Sequence, residues 1–450
     1  MQKIISMTDG KPVYRIAQFS GPLIIGNILQ QAYSIVDASV VGRGISINAL
    51  AAVGGTSWVV WLILAGCRDI GNAVCVVGAK RVGARDARGL ADVMLYSMKL
   101  WVILSVIFSS LFLAFLNQIL IYMNIRAEIY EDARVYLLFY ILQIPFILLF
   151  NLASALLRAV GNSRPALTSM TVSTVVNIVL DILFVLKFRW GVAGAAIATM
   201  IAQGSASLAV LIPLLRSGLW RAEGESSAMP AELNREVVLF ALPTFLNDLI
   251  IAFGGVYMQQ AINAVGAGFA AGYTSGTKIF HLTESVIIAI QSGASVFVGQ
   301  HAGARKWKRL RKGLREIVLA SVVLTLFMSA ALIGTRTYII PLFLAASDPE
   351  LYRIAFTATL QYLAIMGICF PVMTAMYIMR ITIQTLGKAK IALYAGILQS
   401  AIRVLTVNVL SLIGGHIMYF MATPLAWVVT LVIVSVSYRK LIIARCASEI

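Results

Sequence analysis

Val82-Gly83-Ala84-Arg85-Asp86 closes one apolar run and opens a basic loop, and Gly303-Ala304-Arg305-Lys306 does the same 220 residues later. The two halves keep step around these anchors. Pro22 and Pro243 sit early in the first long apolar run of each half. Pro145 and Pro371 each precede by 16 residues a glycine, Gly161 or Gly387, that begins a short polar turn. A doubled chain of this kind is the usual build of a secondary transporter, with its substrate site between the halves.

Of 450 residues, 60% are hydrophobic and only 12% charged. So little polar surface excludes a soluble globular protein of this size. Twelve apolar runs are long enough to cross a bilayer as helices. They lie near 13–42, 48–78, 90–118, 128–157, 165–187, 190–216, 235–264, 268–298, 312–341, 350–386, 388–413 and 416–440. The first run is too long for a signal peptide and no cleavage pattern follows it, so it is expected to stay in the mature chain. The expected fold is an all-α integral membrane protein, with twelve transmembrane helices in two six-helix lobes. An even number of spans per half makes the repeats parallel, related by an axis along the membrane normal, with a central cleft between them. The N-lobe is expected over 1–216, a cytoplasmic linker over 217–234, where Gly218, Gly224, Ser226, Ser227 and Pro230 fall, and the C-lobe over 235–450.

The net charge of +17 is unevenly placed. Most of the 36 Lys and Arg fall in the alternate loops that share a side with both termini. That is the positive-inside bias, so both termini are expected in the cytoplasm and the protein in the cell membrane. The run Arg305, Lys306, Lys308, Arg309, Arg311, Lys312 reads as a topology determinant that touches anionic lipid, and no nucleic-acid partner is expected. The four cysteines and three histidines form neither a disulfide framework nor a metal motif, so no cofactor is expected. The same absence of a catalytic constellation argues against an enzyme.

Charge inside a span needs a partner, a wet cavity or a proton. Asn27, Gln30, Ser34 and Asp37 share one face of the first span, Thr174, Asn177 and Asp181 one face of the fifth, and Thr199, Gln203 and Ser207 one face of the sixth. The oxygens among them suit a sodium ion, or one carboxylate could hold a proton. The alternative is a hydrogen-bonded cluster that only fixes helix register. Pro22, 15 residues before Asp37, is either a hinge tied to that site or a static kink.

The second half differs. It carries Asp248, Lys278, His281, Glu284, Arg380 and Arg403, a polar cluster read as a possible substrate contact or, more simply, as internal ion pairs of Asp248 and Glu284 with Lys278, Arg380 or Arg403. Arg403 and Val407 stand where the first half has Asn177 and Asp181. Met366, Met373, Met376 and Met379, with Tyr362 and Tyr377, read either as an adaptable pocket wall or as ordinary helix packing.

These motifs, with Val41-Gly42, Ala49-Leu50-Ala51-Ala52-Val53-Gly54, Leu157-Arg158-Ala159-Val160-Gly161-Asn162 and Phe297-Val298-Gly299-Gln300, give the chain a resemblance. It resembles the multidrug and toxic compound extrusion (MATE) transporters over nearly its whole length, most of all their bacterial DinF-like branch. The resemblance implies alternating access driven by inward movement of H+ or Na+. It also implies a first-lobe cation site at Asp37, Asn177, Asp181 and Thr199, with a helix 1 hinge at Pro22. Lys278 matches a lysine common in the DinF-like second lobe. The NorM-like branch has an acid in helix 10 where this chain has Arg380, and Gln300-His301-Ala302-Gly303 departs from the usual Gln-Asn-x-Gly. The expected function is antiport that exports small organic, cationic and amphipathic compounds from the bilayer-embedded protein, acting as a monomer. A lipid-linked oligosaccharide flippase of the same superfamily is the rival, resting on the second-half cations.

Overall fold

A computed structural model of the chain describes residues 6–123, 125, 127–221, 230–344 and 349–447. They are helical, with no strand among the described residues. The first six helices are α1 (Pro12–Gly44), α2 (Ser57–Gly83), α3 (Ala87–Ala114), α4 (Ala127–Leu142 with Ile144–Ala159), α5 (Arg164–Asp181) and α6 (Gly191–Arg216). The second six are α7 (Pro230–Val265), α8 (Ala267–Gly303), α9 (Trp307–Ile339), α10 (Pro349–Thr385), α11 (Ala389–Leu405) and α12 (Ile417–Ala447). Ten described helices are long and apolar enough to cross a membrane, and the bent pair of α4 makes an eleventh span. The 33-residue α1, polar along one face, is the remaining segment.

Several expected spans are broken where their sequence breaks them. The run at 48–78 starts as a short separate helix, Ile47–Gly55, capped by Ser46, whose hydroxyl accepts from the Ala49 N–H at 3.0 Å. It ends at Gly54-Gly55-Thr56, where the buried Thr56 hydroxyl donates back to the Val53 carbonyl at 2.9 Å. The third run breaks at Phe115 and continues as Leu116–Tyr122. In α4 the chain bends by 41° at Gln143, because Pro145 cannot donate to the preceding turn. Its counterpart Pro371 lies inside the unbroken α10.

The chain packs as two compact units, residues 1–8 with 18–241 and residues 9–17 with 242–450. The division falls inside α7, at Ala241/Leu242. Gly218, with φ 69°, turns the chain out of α6, and Pro230 opens α7; Gly224, Ser226 and Ser227 of the expected linker lie outside the described residues. Residues 9–17, expected with the first lobe, pack with the second. Lys306 Nζ lies 3.6 Å from Asp9, the Arg309 guanidinium donates to the Gly10 carbonyl, and Pro12 lies against Gly313. These are contacts between distant stretches of chain that spacing does not encode.

Each unit is held by close approach of small residues, as in lipid no hydrophobic drive separates helix from tail. In the first unit Gly71 of α2 meets the Asn151 backbone of α4, where a β-carbon would lie 3.0 Å from its carbonyl oxygen. In the second, a β-carbon on Gly272 of α8 would lie 2.5 Å from the Ala355 carbonyl of α10, and the Thr359 hydroxyl donates to the Gly272 carbonyl at 3.0 Å. The faces turned away from these seams carry exposed Val102, Ile103, Val106 and Ile107 on α3 and Leu319, Val323, Leu326 and Phe327 on α9. They are the surfaces offered to the bilayer.

The repeat is kept at backbone level. Arg85 and Arg305 both take left-handed φ, 59° and 54°. In each the second residue of the turn reaches back to close it, Asp86 N to Arg81 O and Lys306 N to His301 O, both at 3.0 Å. Gly161 and Gly387 take φ 84° and 86°, with Asn162 N to Leu157 O and Lys388 N to Ile383 O closing both turns at 3.0 Å. The fifth helix of each unit ends in a π-turn, Ile182–Lys187 and Thr406–Leu410. Gly387 has open space around its α-carbon, so Gly387→Ala tests the backbone alone. It is expected to destabilise the protein by about 1 kcal/mol, the cost of left-handed φ in an L-residue, read as a lower thermal unfolding midpoint in detergent.

Candidate functional site

Within the first unit, α1, α5 and α6 bring Asp37, Asn177, Asp181 and Thr199 together. Asn177 and Asp181 are one turn apart on α5 and buried, 1% and 0% exposed. The π-turn begins at the next residue, Ile182, and the Phe188 N–H reaches the Leu183 carbonyl at 2.9 Å. A π-turn widens the helix by one residue, a feature found often at functional positions. Asn177 Nδ2 donates to Thr199 Oγ1 at 3.4 Å, and that hydroxyl donates to the Ala195 carbonyl at 3.0 Å. Asp37 lies within side-chain hydrogen-bonding reach of Asp181.

The acceptors outnumber the donors. Asp37 Oδ1, Asn177 Oδ1 and both carboxylate oxygens of Asp181 are buried without a hydrogen-bond partner among the described residues. Buried polar atoms are almost always paired, and a half-satisfied cluster is a poor structural clamp. Two carboxylates facing each other can be reconciled only by something positive between them. A proton or a small hard cation does so, and Asn177 Oδ1 and Thr199 Oγ1 are the neutral oxygens that a cation would add to its shell. No group of three or more His, Cys, Asp or Glu that could hold a metal ion occurs among the described residues.

Tyrosines surround the pair, and sequence reasoning missed them. Tyr33, one turn before Asp37 on α1, lies within hydrogen-bonding reach of Thr199. Tyr136 of α4 lies near Asp37, Tyr33 and Asp181, and its ring centroid is 6.2 Å from that of Tyr140. The spacing of Tyr33 from Asp37 was the signal available; Tyr136 comes from another helix, α4, and no spacing ties it to the pair. Of the other α1 residues on the polar face, Asn27 is half-buried, while Gln30 and Ser34 are exposed, so the stripe is not buried throughout. On α6 the Ser207 hydroxyl donates to the Phe146 carbonyl at 2.6 Å, a packing role. Pro22 is half-buried within a continuous α1.

In the second unit Glu284 has hydrogen-bond partners other than the expected arginines, while Arg380 and Arg403 act on it electrostatically. Glu284 pairs with His281, Nδ1 to Oε2 at 2.8 Å, because three residues on one helix bring the two side chains together. Glu284 also accepts from the Tyr377 hydroxyl at 2.9 Å. Arg380 lies over the Tyr377 ring, 5.0 Å from its centroid, and Arg403 donates to the Ile251 carbonyl at 3.2 Å beside Tyr273, Tyr362 and Tyr377. Asp248 accepts from Asn247 at 3.1 Å on its own helix. Lys278 is exposed and makes no ion pair among the described residues. Val407, at the place of Asp181, is 5% exposed in an apolar cluster with Met258, Ile262 and Ala422. Met366, Met373 and Met376 are buried, as packing residues are.

Eleven apolar spans among the described residues, together with the long α1, in two repeated halves and with an acidic oxygen cluster buried within one, define a multi-pass membrane transporter. The chain belongs to the MatE family, whose model matches residues 22–183 and 243–410, one stretch in each repeat. It is 26% identical over 310 residues to the "Probable multidrug resistance protein YpnP" of Bacillus subtilis (strain 168), covering 68% of this chain and 69% of that one. It is 24% identical over 398 residues to the "Multidrug export protein MepA" of Staphylococcus aureus (strain MSSA476), covering 88% and 86%. The fold is shared with a solved MOP superfamily transporter from Pyrococcus furiosus at a TM-score of 0.89 and 22% identity, over 99% of both chains.

Replacing one of the facing carboxylates by a carboxamide supplies the missing donor. Asp181→Asn is therefore expected to raise stability by about 1 kcal/mol, one net hydrogen bond, measured as the unfolding midpoint in detergent. Val407→Asp, which buries a carboxylate in hydrocarbon without a partner, is expected to lower stability by about 2 kcal/mol or more in the same assay.

Proposed function

We propose that this protein is a secondary antiporter that exports small organic compounds, cationic and amphipathic, in exchange for H+ or Na+ by alternating access. Asp37 and Asp181 load and release the coupling ion, with Asn177 and Thr199 as neutral ligands and Pro22 as the bend point of α1. The observation that carries the reading is the set of buried oxygens on Asp37, Asn177 and Asp181 without hydrogen-bond donors. The relatives named for multidrug export and resistance support the substrate class. The positive bias of the loops on the side of the termini supports a cell-membrane protein with both ends in the cytoplasm.

The coupling works by exclusion. While the two carboxylates hold their cation, the cluster is satisfied and the buried acids cost little. When the ion leaves, acceptor faces acceptor in a low dielectric, and the helices carrying them favour a different packing. A ligand shifts such an equilibrium only through its differential affinity for the two states, which this cluster supplies.

The test is efflux of a fluorescent organic cation from reconstituted vesicles under separately imposed sodium and proton gradients. One of the two gradients is expected to drive export, and both Asp37→Asn and Asp181→Asn to reduce it at least about tenfold, the loss of one cation-site interaction. Export at the wild-type rate by both variants would sink the site assignment. Thr199→Val separates the ions. A sodium ion needs the Thr199 oxygen in its shell, whereas a proton sits on a carboxylate. Loss of efflux in this variant under a sodium gradient, or its retention under a proton gradient, identifies the coupling ion.

A further inference from the structure

The second unit contains a cavity that the transport site does not use. Its volume is about 920 Å3, and it lies between the chain from Gly10 to Ala17 and the first turns of α9. Three cations, Lys11, Arg309 and Lys312, line it, with Glu316 the single acid. None of these four is in an ion pair among the described residues. Arg309 spends one guanidinium nitrogen on the Gly10 carbonyl, while its Nε is buried with no acceptor. Gly313 forms part of the wall, with Pro12 and the Phe297 ring close against its α-carbon. The outer edge is apolar: Tyr14 is 64% exposed and Val13 39%.

The basic start of α9 has two faces. Arg309, Lys312, Gly313 and Glu316 are spaced three, one and three, and share the face that lines the cavity. Lys308, Arg311 and Arg315 are spaced three and four on another face and do not line it. A topology signal needs only charge, on either face. A cavity that gathers unpaired cations under an exposed tyrosine and valine, where an apolar helix begins, has the chemistry of a lipid seat. It offers charge for a phosphate and hydrocarbon contact for the chains attached to it.

We propose that this cavity binds the headgroup of an anionic phospholipid from the leaflet on the side of the termini. Lys11, Arg309 and Lys312 hold the phosphate, and Tyr14 and Val13 lie along the upper acyl chain. Held there, the lipid ties the start of α1 to the start of α9. This inference goes beyond the transport reading and does not depend on Asp37 or its neighbours.

The experiment measures lipid retention by the purified full chain in detergent, using native mass spectrometry, with phosphatidylglycerol, phosphatidylcholine and inorganic phosphate as probes. Phosphatidylglycerol is expected to bind and phosphatidylcholine not. Lys11→Gln with Lys312→Gln is expected to weaken phosphatidylglycerol about 25-fold, at about fivefold per charge removed from a membrane-surface site. Arg311→Gln with Arg315→Gln removes the same charge from the other face and is expected to change affinity less than about twofold, since those residues do not line the cavity. Equal losses in the two double variants would mean diffuse attraction and overturn the proposal. So would displacement of the lipid by inorganic phosphate together with unchanged binding in Tyr14→Ser, which would identify a free-phosphate site. Lys312→Gln alone, expected about fivefold weaker, keeps the test open should either double variant fail to fold.

Discussion

Two carboxylates facing each other in the interior of a membrane protein form an arrangement that no described side chain resolves. Asp37 and Asp181 meet as acceptors, and the amide of Asn177 donates to Thr199 instead. In water such a mismatch is trivial. In a medium without competing donors it leaves Asp37 Oδ1 and both carboxylate oxygens of Asp181 without a partner among the described residues. Around the pair lie the buried Asn177, a widened backbone turn that begins beside Asp181, and the tyrosines Tyr33 and Tyr136.

The second unit shows the same scaffold with different chemistry at the matching place. Val407 replaces an acid with hydrocarbon and joins an apolar cluster. Glu284 is matched by His281 and Tyr377, and the arginines are occupied by an aromatic ring and a backbone carbonyl. The doubled backbone therefore carries a facing carboxylate pair in one half and, at the place of Asp181, hydrocarbon in the other.

The features legible in the sequence were those with a local cause. Prolines, glycine turns and polar residues at helical spacing marked the spans, the repeat and three polar stripes, and the family resemblance singled out Asp37, Asn177, Asp181 and Thr199 among them. Features that depend on distant contacts were not legible. His281 as the partner of Glu284 follows the three-residue spacing, whereas the places of Arg380 over the Tyr377 ring and of Arg403 on the Ile251 carbonyl depend on distant contacts. Tyr136 comes to the site from a separate helix, α4, far along the chain from Asp37. The docking of residues 9–17 on the second unit includes the contact of Arg309 with the Gly10 carbonyl, 299 residues away along the chain. The break at Thr56 was hidden because Gly54 and Gly55 sit within an otherwise apolar run.

The π-turns at Ile182–Lys187 and Thr406–Leu410 bear on the history of the chain. Both copies of the fifth helix have the wide turn, whereas only one has an acid beside it. A backbone irregularity held in common by two halves is most simply inherited from the single half that was duplicated. The acidic pair then reads as the property on which the copies diverged, kept or gained in one and lost or never acquired in the other. In that light the features the two units share record what the scaffold requires in order to fold, and the acidic pair is what sets the copies apart.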